Sequence, residues 1–322
     1  MTAERDLAAE FRAGSVRALA RAITLVERRD PSVRHLLEAL GGEIKRPYVL
    51  GFTGAPGTGK STLVDAVVRL LRKREHGVAV VAVDPNSPYS GGAILGDRIR
   101  MQRHALDSKV FIRSMGARGH LGGLSIATRE AIRLLGAFGF EYVILETVGV
   151  GQSELEVAAI ADTTLVVLTP GLGDGVQMIK AGIMEIADVF VVNKADLPGA
   201  QRTVQEIRTM LNMGPKLAWR PPIVSAVASR EEGIDELFKA VEQHRSRLEA
   251  TGEARARAES RLKDEAADLV GEWARAEARR LLDGEPELAE RLLRDRIPYS
   301  AAEEILERRG ESLVPEAARS NG

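Results

Sequence analysis

The chain has 322 residues, of which 44% are hydrophobic, so it can bury a sizeable core in one large domain with appendages or in two smaller domains. Its 45 basic and 46 acidic residues nearly cancel, which argues against nucleic acid as a partner. The absence of cysteine excludes disulfides and thiolate metal sites and favours a reducing, cytoplasmic compartment. Early acidic residues and the lack of a long apolar run predict neither a signal peptide nor a membrane-spanning segment.

Residues 1–45 are predicted to form an N-terminal helical segment. A first amphipathic helix is expected after an N-cap at Ser15, and a second, shorter helix is bracketed by Asp30-Pro31 and Gly41-Gly42. The apolar residues that recur at helical spacing in the first helix are Val16, Leu19, Ile23 and Val26.

Between residues 46 and 241, short apolar runs rich in β-branched residues alternate with segments of helical length. This alternation predicts an α/β fold with a mostly parallel sheet and helices on both faces. The predicted strands are Tyr48–Thr53, Val78–Val83, Val110–Ile112, Tyr142–Leu145, Thr164–Thr169, Val189–Val192 and Ile223–Val224.

Residues 242–322 form a charged, alanine-rich C-terminal region without strand signals. Pro286 and Pro298 are expected to divide its end into short helices. Two interpretations remain open from the pattern alone: a helical layer folded over the sheet, or an arm that packs on a second subunit. The residues that would form one apolar stripe on its long helix are Leu262, Leu269, Val270, Trp273 and Leu281.

The strongest motif fits the phosphate-loop pattern G-x-x-x-x-G-K-[ST] without a mismatch, and it follows the predicted strand that ends at Thr53. Its glycines allow successive backbone N–H groups to turn toward phosphate oxygens. Lys60 would reach the β- and γ-phosphates, and the Ser61 hydroxyl would bind magnesium. The alternative is a glycine-rich turn without a ligand. The predicted nucleotide-binding residues of this segment are Gly54, Ala55, Pro56, Gly57, Thr58, Gly59, Lys60, Ser61 and Thr62.

A second motif predicts the base. Asn193, Lys194 and Asp196 form the tetrapeptide N-K-x-D directly after the sixth predicted strand, where ligands of open α/β sheets bind. A carboxylate there accepts hydrogen bonds from N1–H and the N2 amine of guanine, a donor pair that adenine lacks. A turn with a helix N-cap is the alternative. Two residues after the next apolar run are expected to add a backbone contact to the guanine carbonyl: Ser225 and Ala226.

Three carboxylates are candidates for holding magnesium. Asp84 and Glu146 each end a predicted strand, and Asp97 lies in a glycine-bearing loop. Gly149 and Gly151 would let the segment after Glu146 move in response to a γ-phosphate. For each carboxylate, a helix cap or a surface charge is the alternative.

The sequence resembles the MeaB/ArgK family, the P-loop GTPases associated with methylmalonyl-CoA mutase. The resemblance covers most of the chain, and the long run after the second strand is not a general phosphate-loop feature. The stretches that carry the resemblance are VAVDPNSPYSGGAILGDRIRM, LETVGVGQSE, VVNKADLPG and DRIPYSAAEEIL.

The resemblance implies that Lys60 and Ser61 contact phosphate and magnesium. It also implies that Asp84, Asp97 and Glu146 form a magnesium-centred carboxylate cluster, and catalytic roles are therefore predicted for Lys60 and these three carboxylates.

Residues 147–156 would be switch II. Within it, Gln152 is a candidate for orienting the attacking water, although only its position suggests this. A further switch loop, residues 171–180, would contact the mutase and contains Asp174, Gln177 and Lys180.

The family role implied for the chain is GTP-dependent gating of adenosylcobalamin delivery to methylmalonyl-CoA mutase, or to a related cobalamin-dependent acyl-CoA mutase, together with protection of that enzyme. The resemblance also implies bound GTP or GDP with Mg²⁺ and a homodimer joined through the C-terminal helices. Residues 242–322 are therefore predicted to be a dimerisation arm. The protein is expected to be cytoplasmic, with neither nucleic acid nor membrane as a partner.

Three other functions remain as alternatives to this one. An ATP-dependent kinase or transport ATPase is disfavoured by N-K-x-D. A nickel-insertion GTPase would need a Cys/His cluster, yet cysteine is absent and the five histidines are scattered. A non-hydrolysing nucleotide-binding scaffold is disfavoured by intact Lys60, Ser61 and Glu146.

Overall fold

The computed structural model of the protein describes residues 2–84, 102–104, 106–116, 123–147, 152–171, 184–214 and 217–308. Among these residues, seven strands form one sheet in the order β3-β2-β4-β1-β5-β6-β7, and all neighbouring strands are parallel. The predicted α/β fold is confirmed. The strands are β1 (Tyr48–Thr53), β2 (Val78–Asp84), β3 (Val110–Gly116), β4 (Tyr142–Thr147), β5 (Thr163–Leu168), β6 (Val189–Asn193) and β7 (Ile223–Ala226).

Helices precede, connect and follow these strands. Single helical turns also occur at Gly41–Glu43, Gln102–His104, Met184–Ile186 and Ala228–Arg230. The longer helices are α1 (Thr2–Arg12), α2 (Val16–Glu27), α3 (Ser32–Leu40), α4 (Lys60–Lys73), α5 (Gly123–Phe138), α6 (Gln152–Ile160), α7 (Ala200–Met213), α8 (Ile234–Thr251), α9 (Glu253–Gly284), α10 (Pro286–Asp295) and α11 (Pro298–Glu307).

The two faces of the sheet are covered by different helices because successive strand residues point to opposite sides. Val49 and its equivalents in neighbouring strands pack against α1, α2, α3, α5 and α6, so the N-terminal helices complete this core. Leu50 and Phe52 point to the other face and pack against α4 and α8. Burial on both faces explains why the strands are continuous apolar runs rather than alternating ones.

The strand order brings the described residues of the predicted site to one edge. β1 lies between β4 and β5, and Phe52 of β1 is level with Glu146 of β4. The carboxyl ends of parallel strands meet at the same edge, so the loop after Thr53 and the end of β4 lie together. Asn193 and Ala226, at the ends of β6 and β7, are also level with each other.

The chain divides into two compact units, Met1–Arg261 and Leu262–Gly322. In the second unit, proline occupies the first helical position of both α10 and α11, where its missing N–H is tolerated. Arg291 and Arg308 of these helices both pair with Glu304, which ties α10 to α11. None of the helices among the described residues is both long and apolar enough to cross a lipid bilayer.

Candidate nucleotide-binding site

The loop between β1 and α4 depends on glycine at its first position. Gly54 has a φ of 141°, and a Cβ there would lie 2.2 Å from the carbonyl oxygen of Val167 in β5. At the end of the loop, a Cβ on Gly59 would lie 2.5 Å from Nδ2 of Asn193. Any side chain at these positions would push the loop away from the neighbouring strands, so the glycines fix how closely it lies against the sheet.

The ammonium group of Lys60 is held over this loop. Its Nζ donates hydrogen bonds to the carbonyl oxygens of Gly54, at 2.7 Å, and Ala55, at 3.2 Å. The hydroxyl of Thr58 donates to the same Ala55 oxygen at 2.8 Å. Lys60 is only 7% exposed, so its charge lies in a region of low dielectric and acts strongly on any anion the loop binds.

Ser61 and Glu146 meet although they are 85 residues apart in sequence. The Ser61 hydroxyl donates a hydrogen bond of 2.6 Å to Oε1 of Glu146, whose side chain is buried at the end of β4. A hydroxyl and a carboxylate are hard oxygen donors, which is the chemistry that Mg²⁺ prefers. In the described part of the chain, no group of three or more His, Cys, Asp or Glu side chains is placed to hold a metal. The donor pair therefore fits Mg²⁺ as part of a site rather than as a complete cage.

Asn193 joins three loops. Its Nδ2 donates to the carbonyl oxygen of Thr58 at 2.9 Å, and its Oδ1 accepts from the backbone N–H of Ala228 at 3.2 Å. It is 2% exposed. Because its amide hydrogen-bonds on both sides, Asn193 links the phosphate loop to the turn after β7.

The other two residues of N-K-x-D are placed differently from each other. Lys194 has a φ of 54° and donates from Nζ to the carbonyl oxygen of Gly57 at 2.7 Å, so it also binds the phosphate loop. Among the described residues, Asp196 forms no hydrogen bond with the phosphate loop; its Oδ2 accepts from Arg230 at 3.2 Å. Its side chain is 33% exposed and keeps acceptor capacity toward solvent. Among the three, Asp196 is the side chain best placed to read a base.

The turn after β7 completes the arrangement. The carbonyl oxygen of Ala226 accepts from the N–H of Ala195 at 3.0 Å, which holds the N-K-x-D segment beside β7. Ala226 is buried and Ser225 is exposed. Ala226 therefore lies beside the residue that precedes Asp196, and its contact with guanine stays a prediction.

The remaining predicted residues are placed only in part. Pro56 and Thr62 are exposed on the loop and on the first turn of α4. Asp84 is the last residue of β2 and Gln152 the first of α6, while their side chains lie outside the described structure. The predicted residues that lie wholly outside the described ranges are Asp97, Asp174, Gln177 and Lys180.

Two side-chain pairs near the site were not foreseen from the sequence. Arg230 contacts Asp196, and His104 lies 2.9 Å from Asp65 on α4, where both side chains are buried. Neither pair has a local sequence signal, because each joins residues from separate loops or elements.

Burial also perturbs one acidic group of the predicted switch II. The pKa of the Glu156 carboxyl in α6 is raised because burial disfavours its charged form, while the nearby charge of Arg129 partly opposes this.

The comparisons with known proteins agree with this geometry. A family model described as the methylmalonyl Co-A mutase-associated GTPase MeaB matches residues 19–280. A Pyrococcus abyssi protein named as a GTPase is 45% identical over 308 residues, covering 94% of this chain and 95% of that protein. The mitochondrial methylmalonic aciduria type A homolog of Mus musculus is 35% identical over 269 residues, covering 78% of this chain and 65% of that protein.

The fold has a solved counterpart. The crystal structure of a LAO/AO transport system kinase matches with a TM-score of 0.69 and 27% identity, over 96% of this chain and 98% of that chain. The family model covers most of the chain, and both the phosphate loop and the guanine motif lie within it. The chain therefore belongs to the MeaB family of P-loop GTPases, and it is an enzyme that binds guanine nucleotide and hydrolyses GTP.

Proposed function

We propose that this GTPase couples Mg²⁺-supported GTP hydrolysis to the loading of adenosylcobalamin into methylmalonyl-CoA mutase, or a related cobalamin-dependent acyl-CoA mutase, and that it protects this client. The hydrogen bond between Ser61 and Glu146 carries the proposal for the site, because it brings two hard oxygen donors to the start of the phosphate-loop helix. The family description and the name of the mouse relative support the choice of client.

In the proposed reaction, a water oxygen forms a bond to the γ-phosphorus as the bond to the β,γ-bridging oxygen breaks, which yields GDP and inorganic phosphate. The backbone N–H groups of the loop and the Lys60 ammonium would stabilise the negative charge that develops on the leaving GDP. Lys60 is held in place by the loop carbonyls that lie beneath it, so little reorganisation is needed when the charge develops.

Ser61 and Glu146 would hold Mg²⁺, with Asp84 and Asp97 proposed as further carboxylates of the site. When bound, the ion supplies positive charge that offsets the charge of the phosphate oxygens. The contribution of the chain is to present its hydroxyl and carboxylate together, and the buried position of Glu146 keeps that carboxylate in one orientation.

The guanine assignment is tested at Asp196. Replacing Asp196 by Asn exchanges one acceptor oxygen for a donor, so GDP affinity should fall by about 10- to 100-fold. Xanthosine diphosphate should bind better than to the parent, because its 2-oxo group accepts a hydrogen bond from the new amide. Calorimetric titration with GDP, xanthosine diphosphate and ADP measures both effects.

The exposed carboxylate of Asp235, with a 64% exposed side chain on α8, provides the matched control. Asp235→Asn should leave all three affinities as in the parent. Equal affinity of the parent for GDP and ADP, or an Asp196→Asn variant with parental base preference, would contradict the proposed base reader.

The client is tested by single-turnover GTP hydrolysis with purified methylmalonyl-CoA mutase and, separately, with another cobalamin-dependent acyl-CoA mutase. We expect slow intrinsic hydrolysis that accelerates with the cognate mutase, because partner binding would order the proposed switch segments at 147–156 and 171–180. The Lys60→Ala variant gives the baseline with each mutase. A fast rate that neither mutase changes would contradict the proposal.

We also propose that residues 242–322 act as a dimerisation arm and that the protein works in the cytoplasm. Apolar side chains of α9 support the first point, since Leu262 and Val270 are 60% and 64% exposed. Val270→Glu should convert a dimer to a monomer in light scattering after size exclusion. Leu106→Glu, at a fully exposed leucine outside the arm, should leave the mass unchanged. A parent chain that is monomeric would end this part of the proposal.

A further inference from the structure

The carboxylate proposed to read guanine is contacted by an arginine from a different loop. Asp196 follows β6, whereas Arg230 ends the helical turn after β7, and its guanidinium donates to Oδ2 of Asp196 at 3.2 Å. The side chains are 33% and 58% exposed, so the pair lies at the surface of the site and is not sealed in the core. In the described part of the chain, this is the only hydrogen bond that the Asp196 carboxylate accepts.

The turn that carries Arg230 is fixed to the phosphate-loop helix by the next residue. Glu231 lies 2.8 Å from Arg69 and 3.2 Å from Lys73, both on α4. The hydrogen bond from Lys73 and the charge of Arg69 hold the pKa of the Glu231 carboxyl below its ordinary value. Glu231 also has a φ of 59°, a left-handed conformation that a non-glycine residue adopts only when its surroundings stabilise it. Arg230 thus contacts the proposed base reader, while Glu231 fixes the turn to the later part of α4.

The same turn is also hydrogen-bonded to the N-K-x-D motif. The N–H of Ala228 donates to Oδ1 of Asn193, which in turn donates to the phosphate loop. The backbone of the turn is therefore held on both sides of Arg230, by the bond from Ala228 and by Glu231. From this turn the guanidinium reaches Asp196 at 3.2 Å and lies 3.9 Å from Glu232.

The chemistry of guanine recognition needs an oriented carboxylate. N1–H and the N2 amine must meet the two oxygens together, yet rotation of an Asp carboxylate about χ2 is only weakly restricted. A carboxylate offers about four acceptor positions. One hydrogen bond from Arg230 to Oδ2 uses one of them, restricts rotation of the group about χ2 and leaves acceptors on both oxygens for the base.

We propose that Arg230 is a positioning residue for guanine specificity, which holds the Asp196 carboxylate in the orientation that meets N1–H and the N2 amine. The inference rests on the proposed role of Asp196 as the base reader. In this proposal a residue outside N-K-x-D contributes to the preference for guanine. The turn at 228–231 then connects Asp196 to α4, the helix that follows the phosphate loop.

The test is nucleotide titration of Arg230→Gln with GDP, inosine diphosphate and ADP. Inosine diphosphate lacks the N2 amine, so its affinity relative to GDP reports how well the second carboxylate oxygen is used. We expect GDP to bind about two- to five-fold more weakly, as for loss of a partly exposed charge pair. The preference for GDP over inosine diphosphate should fall with it, and ADP binding should stay unchanged. Arg230→Lys should recover part of the GDP affinity, because an ammonium can still reach one oxygen.

Arg202→Gln is the matched control, since Arg202 pairs with Glu206 on the surface of α7. It should behave as the parent with all three nucleotides. An Arg230→Gln variant with parental GDP affinity and base preference overturns the inference. Tighter GDP binding overturns it as well, because Arg230 would then compete with the base. An equal loss for GDP, inosine diphosphate and ADP overturns it by showing a general structural effect.

Asp196→Asn in the same titration separates this inference from the proposed function. If Asp196→Asn keeps the preference for GDP over ADP, the base reader itself is wrong. If Asp196→Asn loses that preference while Arg230→Gln does not weaken GDP, only the role of Arg230 fails.

Discussion

The two edges of the sheet use polar residues in different ways. At the amino edge, Asp162 accepts hydrogen bonds from the backbone N–H of Val49 at 2.9 Å and from Arg261 at 2.8 Å, and Arg46 pairs with it at the same distance. At the carboxyl edge, Lys60 is instead directed onto backbone carbonyls of a loop. Asp162 at the amino edge pairs with two guanidinium groups, whereas Lys60 and Lys194 at the carboxyl edge bind the loop that a phosphate group would contact.

The amino edge also contains a buried network. The Tyr48 hydroxyl and Nδ1 of His244 both lie within hydrogen-bonding distance of Thr163 Oγ1, at 2.7 and 2.8 Å. His244 is fully buried, and its Nε2 lies 3.2 Å from Oδ1 of Asp188. The comparison teaches that polarity alone does not mark function in this fold: the amino edge serves stability and the carboxyl edge serves ligand binding.

The largest expected effect is at the carboxyl edge. Lys60→Ala should lower the rate of GTP hydrolysis by about 10²- to 10³-fold, because it removes the buried positive charge nearest the phosphates. Phosphate release under single-turnover conditions measures the rate. Lys109→Ala, at an exposed lysine, should keep the parental rate. If Lys60→Ala hydrolyses GTP as the parent does, the loop is not the catalytic edge.

The next effect tests how the loop is held against the sheet. Gly54→Ala should lower the free energy of unfolding by about 3 kcal/mol, because its Cβ would meet the Val167 carbonyl at 2.2 Å. Gly57→Ala is the control for backbone strain alone, since φ is 81° there and no atom lies within 4 Å of the added Cβ. It should cost only about 1 kcal/mol. Urea unfolding monitored by circular dichroism measures the free energy of unfolding of both variants. Equal losses in Gly54→Ala and Gly57→Ala would show that contact with β5 does not fix the loop.

A third variant tests whether the amino edge contributes to stability without affecting nucleotide binding. Asp162→Ala leaves the guanidinium groups of Arg46 and Arg261 and the N–H of Val49 without their shared acceptor, so it should cost about 2 to 3 kcal/mol of unfolding free energy. GDP affinity should remain parental, because the change lies at the amino edge. Glu206→Ala, which removes an exposed pair with Arg202, should cost less than about 0.5 kcal/mol. A loss of GDP affinity in folded Asp162→Ala would break the division between the edges.

The smallest effect is a pH dependence at the amino edge. Burial raises the pKa of Tyr48 to about 12 from 10.0. The folded state therefore keeps the proton that the unfolded state loses, so this group's contribution to stability is complete below pH 10 and declines as pH rises toward 12. Tyr48→Phe should flatten that part of the decline in urea unfolding, and it should remove a step near pH 12 from a phenolate absorbance titration. A titration unchanged by Tyr48→Phe would contradict the buried assignment.

Much of the fold was predictable from local pattern. The run Tyr48–Thr53 is a strand with the predicted bounds, and Ser15 is the N-cap of α2, accepting from Ala18 N–H at 3.2 Å. The run at Val110–Ile112 proved too short, since β3 continues to Gly116. Arg113 and Ser114 interrupt the apolar run, and Arg113 pairs with Glu27 of α2, so backbone pairing with β2 and this ion pair maintain the strand where hydrophobicity does not. Val16 shares the helical spacing of Leu19, Ile23 and Val26, but it is 48% exposed, whereas the other three are buried.

The candidate site also has features that the sequence predicted and features that it did not. The phosphate loop and N-K-x-D were readable because each is a short run whose chemistry depends on neighbouring residues. The different roles of the residues in N-K-x-D could not be predicted from the sequence. Asn193 and Lys194 bind phosphate-loop residues that are 135 and 137 positions away in the chain. The roles of Asp97, Asp174, Gln177 and Lys180 stay predictions.

The sequence by itself determined the strands, the phosphate loop and the kind of nucleotide, because periodicity, glycine placement and acceptor chemistry are local properties. Only the tertiary structure decided the strand order, which places β4 beside β1 and so brings Glu146 to Ser61. It alone decided that Arg230 would meet Asp196. Such contacts depend on which loops the sheet brings together, and that choice is made by packing of the whole core rather than by any one segment.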